Sequence, residues 1–253
     1  MHSSRHFLQY AVGTLCRHLH NPNENCFKAL RHLMCYMAHT PHLGLVYHSP
    51  FTSSLRVENY LFEDDTSKQP PLDLEAYSDS NYTGHDPSNA KSTTGNLIFF
   101  AGALIAWSSS LQPTIATSSA EAEYTAAYDT SRYIIYFRQF LEELGFHSTS
   151  CKNPTRIWED NTACISQSKN PTLKHYRTRH IKLHSHYLRD LVSRREVQLE
   201  YISTTDQLAD ILTKPLPPRD FLRLYGTLLD QLLRNVFRLP ALLPRRHLAV
   251  GGC

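Results

Sequence analysis

The sequence predicts an α/β fold, a mixed sheet flanked by helices, behind a small and mainly helical N-terminal segment. Three observations predict it. From residue 72 to 216 the local signals run strand, strand, strand, helix, strand, helix, strand, helix, and interleaving of this kind builds a sheet covered by helices. Two of the strand signals flank Gly102 closely enough to form a hairpin. A long helical pattern from about Ser119 to Leu144 stops at Gly145, the residue that most readily ends a helix.

Each element has its own reason. Asn23 to Met37 places Phe27, Leu30, Leu33, Met34 and Met37 on one amphipathic face, and Asn21-Pro22-Asn23 is a start signal. Gly44 to Tyr47 reads as a short strand. Residues 51–71 are polar, end in Gln69-Pro70-Pro71, and read as a linker. Leu72 to Asp79 is a strand ending on an acid. Thr94 to Ala101 and Ala103 to Ser108 form the hairpin. Thr155 to Asp160 is a short strand that leads into a helix at Thr162 to Ser168. A basic helix spans Arg179 to Arg194, Val197 to Ser203 alternates like a strand, and Asp206 to Thr213 is a short helix ended by Pro215. Beyond residue 216 the chain is rich in Leu, Arg and Pro. A helix is expected at Phe221 to Arg238, with no structure in about the last fifteen residues.

Composition sets limits. The 253 residues are 41% hydrophobic and 19% charged, enough apolar matter for a real core. A net charge of +3 excludes a global polycation, so any nucleic-acid contact comes from a local patch. No apolar run approaches the roughly 20 residues that span a bilayer, and the start has no signal-peptide core. Six cysteines lie at 16, 26, 35, 151, 164 and 253, without a Cys-x-x-Cys pair, which disfavours a disulfide framework. The expected setting is intracellular, cytoplasmic or nuclear, and not secreted.

Four acids sit in unusual contexts: Asp79 in Tyr-Ser-Asp-Ser-Asn-Tyr, Glu123 in Ser-Ser-Ala-Glu-Ala-Glu-Tyr, Asp160 in Trp-Glu-Asp-Asn-Thr, and Asp210 in Thr-Asp-Gln-Leu-Ala-Asp-Ile-Leu-Thr-Lys. Brought together by a fold, they would make an all-oxygen site for hard divalent ions. Singly, each has an ordinary explanation. An Asp before Asn or Thr is commonly a turn or a helix cap, and Asp210 can pair with Lys214 four residues on. Helix geometry separates Glu121 from Glu123. Ser118-Ser-Ala-Glu121 fits a capping box, with Glu121 reaching back to the amide of Ser118. Glu123 instead leads a stripe of Ala126, Ala127, Thr130, Ile134 and Phe137 that would pack on the sheet. A glutamate there is costly unless paired or metal-bound.

Residues 72 to 216 resemble the ribonuclease H domain of copia-type LTR retrotransposon Pol polyproteins. The resemblance rests on Tyr77 to Tyr82, Lys91-Ser-Thr-Thr-Gly95, Ile105 to Ser109, Ser118 to Tyr124, Glu159-Asp-Asn161, Lys169-Asn-Pro171, Arg177 to Ile181 and Asp206 to Lys214, in that order and spacing. Residues 1–50, through Arg5-His6, Tyr10-Ala11, Asn21-Pro22, Ala29-Leu30-Arg31, Tyr36-Met37 and Thr40, look like the C-terminal end of the reverse transcriptase region. Residues 217–253 then form a C-terminal helix and tail. The resemblance implies a ribonuclease H-like fold, a five-stranded mixed sheet with helices on both sides. It also implies a metal-binding catalytic quartet of Asp79, Glu123, Asp160 and Asp210. The implied cofactor is two Mg²⁺ ions, with Mn²⁺ as a substitute, and the implied reaction is cleavage of the RNA strand of an RNA–DNA hybrid. One ion would activate the attacking water and the other would stabilise the leaving 3′-oxygen. The remainder of a Pol polyprotein is the other implied partner, and no membrane. The sequence departs from the family at Asn81, where a second acid is common. A fragment that keeps the fold but no longer cuts is the alternative.

Phe62-Glu63-Asp64-Asp65 imitates a polymerase motif but lacks flanking apolar strands, and His180, His184 and His186 lack a Cys or Glu to complete a zinc set. Lys174, Arg177, Arg179, Lys182, Arg189, Arg194 and Arg195 face a single acid, Asp190, between residues 174 and 195. Such a patch is the expected footprint of phosphate binding, with Lys174, Arg177, Arg179, Lys182 and Arg189 as candidate nucleic-acid contacts. Neutralising Arg177, Arg179 and Lys182 together is expected to weaken hybrid binding and flatten its salt dependence. A salt titration of binding that keeps its slope removes the patch from this reading.

Overall fold

Alternating side chains on the central strands decide the layering. The computed structural model describes residues 5–41, 44–45, 73–82, 90–146, 153–170 and 179–234, with backbone alone at 179–183 and 229–234. The strands are β1 (Leu74–Asn81), β2 (Thr93–Phe100), β3 (Ala103–Leu111), β4 (Thr155–Glu159) and β5 (Val197–Tyr201). They form one sheet in the order β3-β2-β1-β4-β5. β1, β2 and β3 pair antiparallel, whereas β4 lies parallel to both β1 and β5. Leu74, Ala76, Ile98, Ile157 and Leu199 face one core, and Tyr77, Leu97 and Phe99 face the other, as a side-chain period of two requires.

The helices are α1 (Gln9–Cys16), α2 (Glu24–His39), α3 (Ser119–Glu143), α4 (Thr162–Lys169), α5 (Arg179–Ser193) and α6 (Pro218–Arg234). Tyr124, Ala127 and Ile134 of α3, Cys164 of α4, and Leu188 and Leu191 of α5 bury one face of the sheet. Leu208, Ile211 and Leu212, with Leu224, Tyr225 and Leu228 of α6 and with Phe7 and Leu8, bury the other. This is the ribonuclease H-like fold that the resemblance implies: five strands, mixed, with helices on both sides. No helix of the described residues is long and apolar enough to cross a membrane.

Local chemistry explains the element boundaries. Ala101 and Gly102, both at positive φ (49° and 72°), make a tight two-residue hairpin between β2 and β3. Gly145 (φ 89°) closes α3, where its N–H meets the Glu142 carbonyl and the Phe146 N–H meets the Leu141 carbonyl, the two bonds of a Schellman end. Asn23 caps α2 by accepting the Cys26 N–H at 3.0 Å.

Several boundaries and faces differ from the sequence-based expectation. The expected helix from Asp206 to Thr213 is two 3-10 turns, Thr204–Asp206 and Leu208–Leu212. Gln207 between them is extended (φ −68°, ψ 102°) and breaks the helical path. α6 begins at Pro218, three residues before Phe221, because proline suits the first turn of a helix. Of the apolar face expected on α2, Leu33 packs against the core, joined by Tyr36, while Phe27, Leu30, Met34 and Met37 are exposed. Gly44 and Leu45 are not in a strand. Val46 and Tyr47, the linker at 51–71 and Phe62 to Asp65 lie outside the described residues.

One close approach fixes the far layer onto the sheet. Gly95 of β2 lies in register with Asp79. A Cβ there would stand 2.6 Å from Thr213 Cγ2 and 3.0 Å from the Ala209 carbonyl oxygen. Gly95→Ala is therefore expected to push the 208–213 segment off the sheet and to cost about 1–3 kcal/mol, as overpacking does. Urea unfolding checks this, and an unchanged midpoint would show that the contact is not tight.

Candidate metal and catalytic site

The strand order reverses direction at β1, which has β2 on one side and parallel β4 on the other. The carboxyl ends of parallel strands at such a switch point form a natural crevice. The β1–β4 ladder stops at the pair Tyr77 and Trp158. Just beyond it lie Asp79, still in β1, and Asp160, the residue after β4. Glu123 enters from the first turns of α3. One carboxylate oxygen from each of Asp79, Glu123 and Asp160 lies within 4.8 Å of the others.

The ordinary explanations for these acids can be weighed against their partners. Asp160 does not cap α4, since Asn161 does so by accepting the N–H groups of Ala163 and Cys164 at 3.0 Å each. Ser118 caps α3 by accepting the Glu121 N–H at 3.2 Å. The Glu121 carboxylate is held by the N–H and the hydroxyl of Thr117, one residue earlier than the expected amide of Ser118. Glu123 is almost fully buried, and the Ser80 hydroxyl beside it offsets a little of that cost. Behind it, Ala126, Ala127, Thr130 and Ile134 are buried, with Phe137 packed beside them.

Asp210 is not one of that trio, but its side chain is in contact with that of Asp79. It lies on the 3-10 turn Leu208–Leu212, where its Oδ1 meets Lys214 Nζ at 2.7 Å. The Thr213 hydroxyl donates to Asp79 Oδ2, which joins this segment to the cluster.

Crowding and burial perturb every one of these acids that is enclosed. Burial pushes Glu123 well above the usual carboxylate range, and the charges of Asp79, Glu159 and Asp160 push it further. Burial also raises Asp79, against the opposing Lys214 charge and Thr213 hydroxyl. Asp210 is pushed up to about 8, by burial first and then by the Asp79 charge, against the pull of Lys214. Burial alone would lower the Lys214 ammonium, but Asp79 and Asp210 reverse this and raise it.

A hard cation fits this set. All donors are carboxylate oxygens, which Mg²⁺ and Mn²⁺ prefer, and the two buried ones, Asp79 and Glu123, call for a counter-charge. Among the described residues, no other group of three His, Cys, Asp or Glu could hold an ion in this way.

The sequence motifs assign no role to three further participants, and the fourth, Lys214, pairs with Asp210 as the sequence predicts. Glu159 is fully buried behind the trio; its Oε1 accepts the Asn161 N–H at 3.2 Å, and its Oε2 is unpartnered. Gln207 is also fully buried. Its Nε2 donates to the Ser78 carbonyl at 2.9 Å and reaches the Trp158 carbonyl at 3.4 Å, bridging β1 and β4 where they part. Gln112 Nε2 bonds Thr94 Oγ1 at 3.0 Å and the Ala122 carbonyl at 2.8 Å, anchoring the turn of α3 that carries Glu123. Only the alternation of buried positions around the acids hints at the two glutamines.

The basic patch is partly described. Lys174 and Arg177 lie outside the described residues, and Arg179 and Lys182 belong to α5 with backbone alone described. Arg189 donates Nε to the Ser185 carbonyl at 3.1 Å, with Nη1 3.5 Å from the Asn170 carbonyl, tying α5 to the end of α4. Arg194 pairs with Asp190 and Glu196 at 3.1 and 3.5 Å, and Arg195 is exposed. His184 stacks on Tyr128 with ring centroids 3.9 Å apart.

No family model matches the chain. It is 32% identical over 214 residues to the retrovirus-related Pol polyprotein from transposon TNT 1-94 of Nicotiana tabacum, covering 85% of this chain and 14% of that protein. It is 34% identical over 209 residues to that of transposon RE2 of Arabidopsis thaliana, covering 83% and 13%. The chain thus spans about one seventh of the length of these relatives. Solved structures similar to it include an N-terminal RNase H domain from Mycobacterium tuberculosis, at TM-score 0.38, 13% identity and coverage of 62% and 98%. LC11-RNase H1 in complex with an RNA/DNA hybrid has TM-score 0.39, 15% identity and coverage of 55% and 93%.

The raised acids make metal-free stability depend on pH. Each binds its proton more tightly folded than unfolded, so the stability it contributes is full below about pH 4 and is lost as pH rises towards the folded value, about 8 for Asp210. Buried His6, lowered to about 4, acts in the opposite sense, but only below its unfolded value of about 6.5. Chelator-treated protein is therefore expected to lose stability between about pH 7 and 8, and Asp210→Asn to flatten that slope. Thermal melts across this window check it; a flat wild-type profile would contradict it.

Proposed function

Because this chain is homologous over most of its length to a segment of copia-type retrotransposon Pol polyproteins, we propose that it is a ribonuclease H module, a metal-dependent endoribonuclease that hydrolyses the RNA strand of RNA–DNA hybrids. The observation that carries this reading is the meeting of Asp79, Glu123 and Asp160 within 4.8 Å at the carboxyl ends of two parallel strands. Three converging carboxylates suit metal-assisted attack by water.

Asp79 and Asp160 would hold Mg²⁺ or Mn²⁺ most centrally, with Glu123 and Asp210 completing two sites. Bound there, the ions would supply an activated water and stabilise the leaving 3′-oxygen of a phosphodiester. The chain's own contribution is geometric and electrostatic. Asn161 takes over capping, so the Asp160 carboxylate stays available. The Thr213 hydroxyl fixes one oxygen of Asp79. Gln207 and Gln112 hold the backbone beside Asp79 and Glu123. The choice of RNA over DNA would rest on the 2′-hydroxyl and on helix shape, and hold on the hybrid would come from the basic stretch at 174–195. Other segments of a Pol polyprotein are the proposed protein partners.

Labelled RNA–DNA hybrid incubated with Mg²⁺ tests this. Wild type is expected to cut the RNA strand, and Asp79→Asn or Glu123→Gln to lower the rate at least about a hundredfold, the scale of several kcal/mol of charge stabilisation. Glu121→Gln is expected to keep activity within a few fold and to lower the melting temperature, because it loosens the Thr117 cap. Folded wild type that leaves the hybrid intact would turn the reading to a silent remnant.

A further inference from the structure

Lys214 is the feature of the site that the proposed chemistry does not use. Its Nζ lies 2.7 Å from Asp210 Oδ1. The two residues are four apart, and exposed pairs at that spacing contribute little. This pair is different, because the Asp210 side chain is only 6% exposed and the Lys214 side chain 30%. The ammonium is drawn into the carboxylate cluster, not held out in water.

Its backbone is fixed as well. The Lys214 N–H reaches the Asp210 carbonyl at 3.3 Å, and Thr213, the residue before it, donates to Asp79. The segment from Asp210 to Lys214 thus delivers one acid and one cation to the same edge of the site. Asp79, Glu123 and Asp160 each bring an oxygen into one space of ion-binding size, while Asp210 touches that space through Asp79 and already has a cation from the chain, Lys214.

We propose that Lys214 is a built-in cation of the carboxylate site, occupying the Asp210 side. The chain without nucleic acid then takes up one divalent ion on Asp79, Glu123 and Asp160. A second ion reaches Asp210 only by displacing the ammonium. This rests on the metal-dependent reading above and deepens it: Lys214 is a positioning residue that sets how many ions the site holds and in which order they enter.

The test is Mn²⁺ binding to the chelator-treated full chain, followed by calorimetry and by the electron paramagnetic resonance signal of free Mn²⁺, without nucleic acid. Wild type is expected to bind one ion, and Asp79→Asn to lose it. Lys214→Met is expected to gain a second ion, or to tighten a weak second one at least about tenfold, and Lys214→Arg to behave as wild type. Superimposable isotherms for wild type and Lys214→Met would overturn the proposal. So would two ions of similar affinity on wild type, a result that decides the matter even if the Met variant fails to fold. Wild type that binds no Mn²⁺ at all would overturn the metal-dependent reading itself, before Lys214 is in question.

Discussion

Three carboxylates held within 4.8 Å of one another and largely out of water are the constraint to which the rest of the molecule answers. Two unit charges at that distance repel by about 3 kcal/mol at an effective dielectric of about 20, and burial adds a desolvation penalty for Asp79 and Glu123. A fold can tolerate this only by retaining protons, by supplying a cation, or by binding one. The structure carries signs of all three. Glu123, Asp79 and Asp210 hold their protons more tightly than free acids do, Lys214 lies against Asp210, and Asp79, Glu123 and Asp160 converge on one space that could hold an ion.

The scaffold must then hold these groups together without adding further charge. It does so with neutral side chains that grip the backbone next to each acid. Gln207 binds the carbonyl of Ser78, one residue before Asp79, and reaches that of Trp158, two before Asp160. Gln112 binds the carbonyl of Ala122, one before Glu123. Both amides are buried and satisfied, so each contributes stability and not an uncompensated polar burial. Gly95 supplies the space in which the segment bearing Asp210 can lie flat on β2.

Much of this was legible in the sequence, and for identifiable reasons. The strands and α3 follow from alternation, from Gly102 and Gly145, and from the Ser118 cap, all of which act through local backbone chemistry. Glu123 could be separated from Glu121 because helix spacing alone assigns them to different faces. The 208–214 segment resisted. Its apolar residues read as helix, but they are held by the far core while the extended Gln207 interrupts the path, and tertiary contact outweighs local propensity there. Gln207, Gln112 and Glu159 bond to groups distant in sequence or act through burial, and neither leaves a periodic trace. The apolar stripe of α2 reads as a buried face, yet among its residues Leu33 is the one packed against the core.

The segment from Leu208 to Lys214 joins the core to the chemistry. Leu208, Ile211 and Leu212 close the far face of the sheet with α6 and Phe7, while Asp210, Thr213 and Lys214 lie against the carboxylate cluster. The Thr213–Asp79 contact spans 134 residues, so the segment reaches Asp79 only through the tertiary fold. Without that docking Asp79 would lack the opposing charge of Lys214. The apolar packing of Leu208, Ile211 and Leu212 then provides the driving force that carries Lys214 into place, which makes the far-side core part of the electrostatic design of the site.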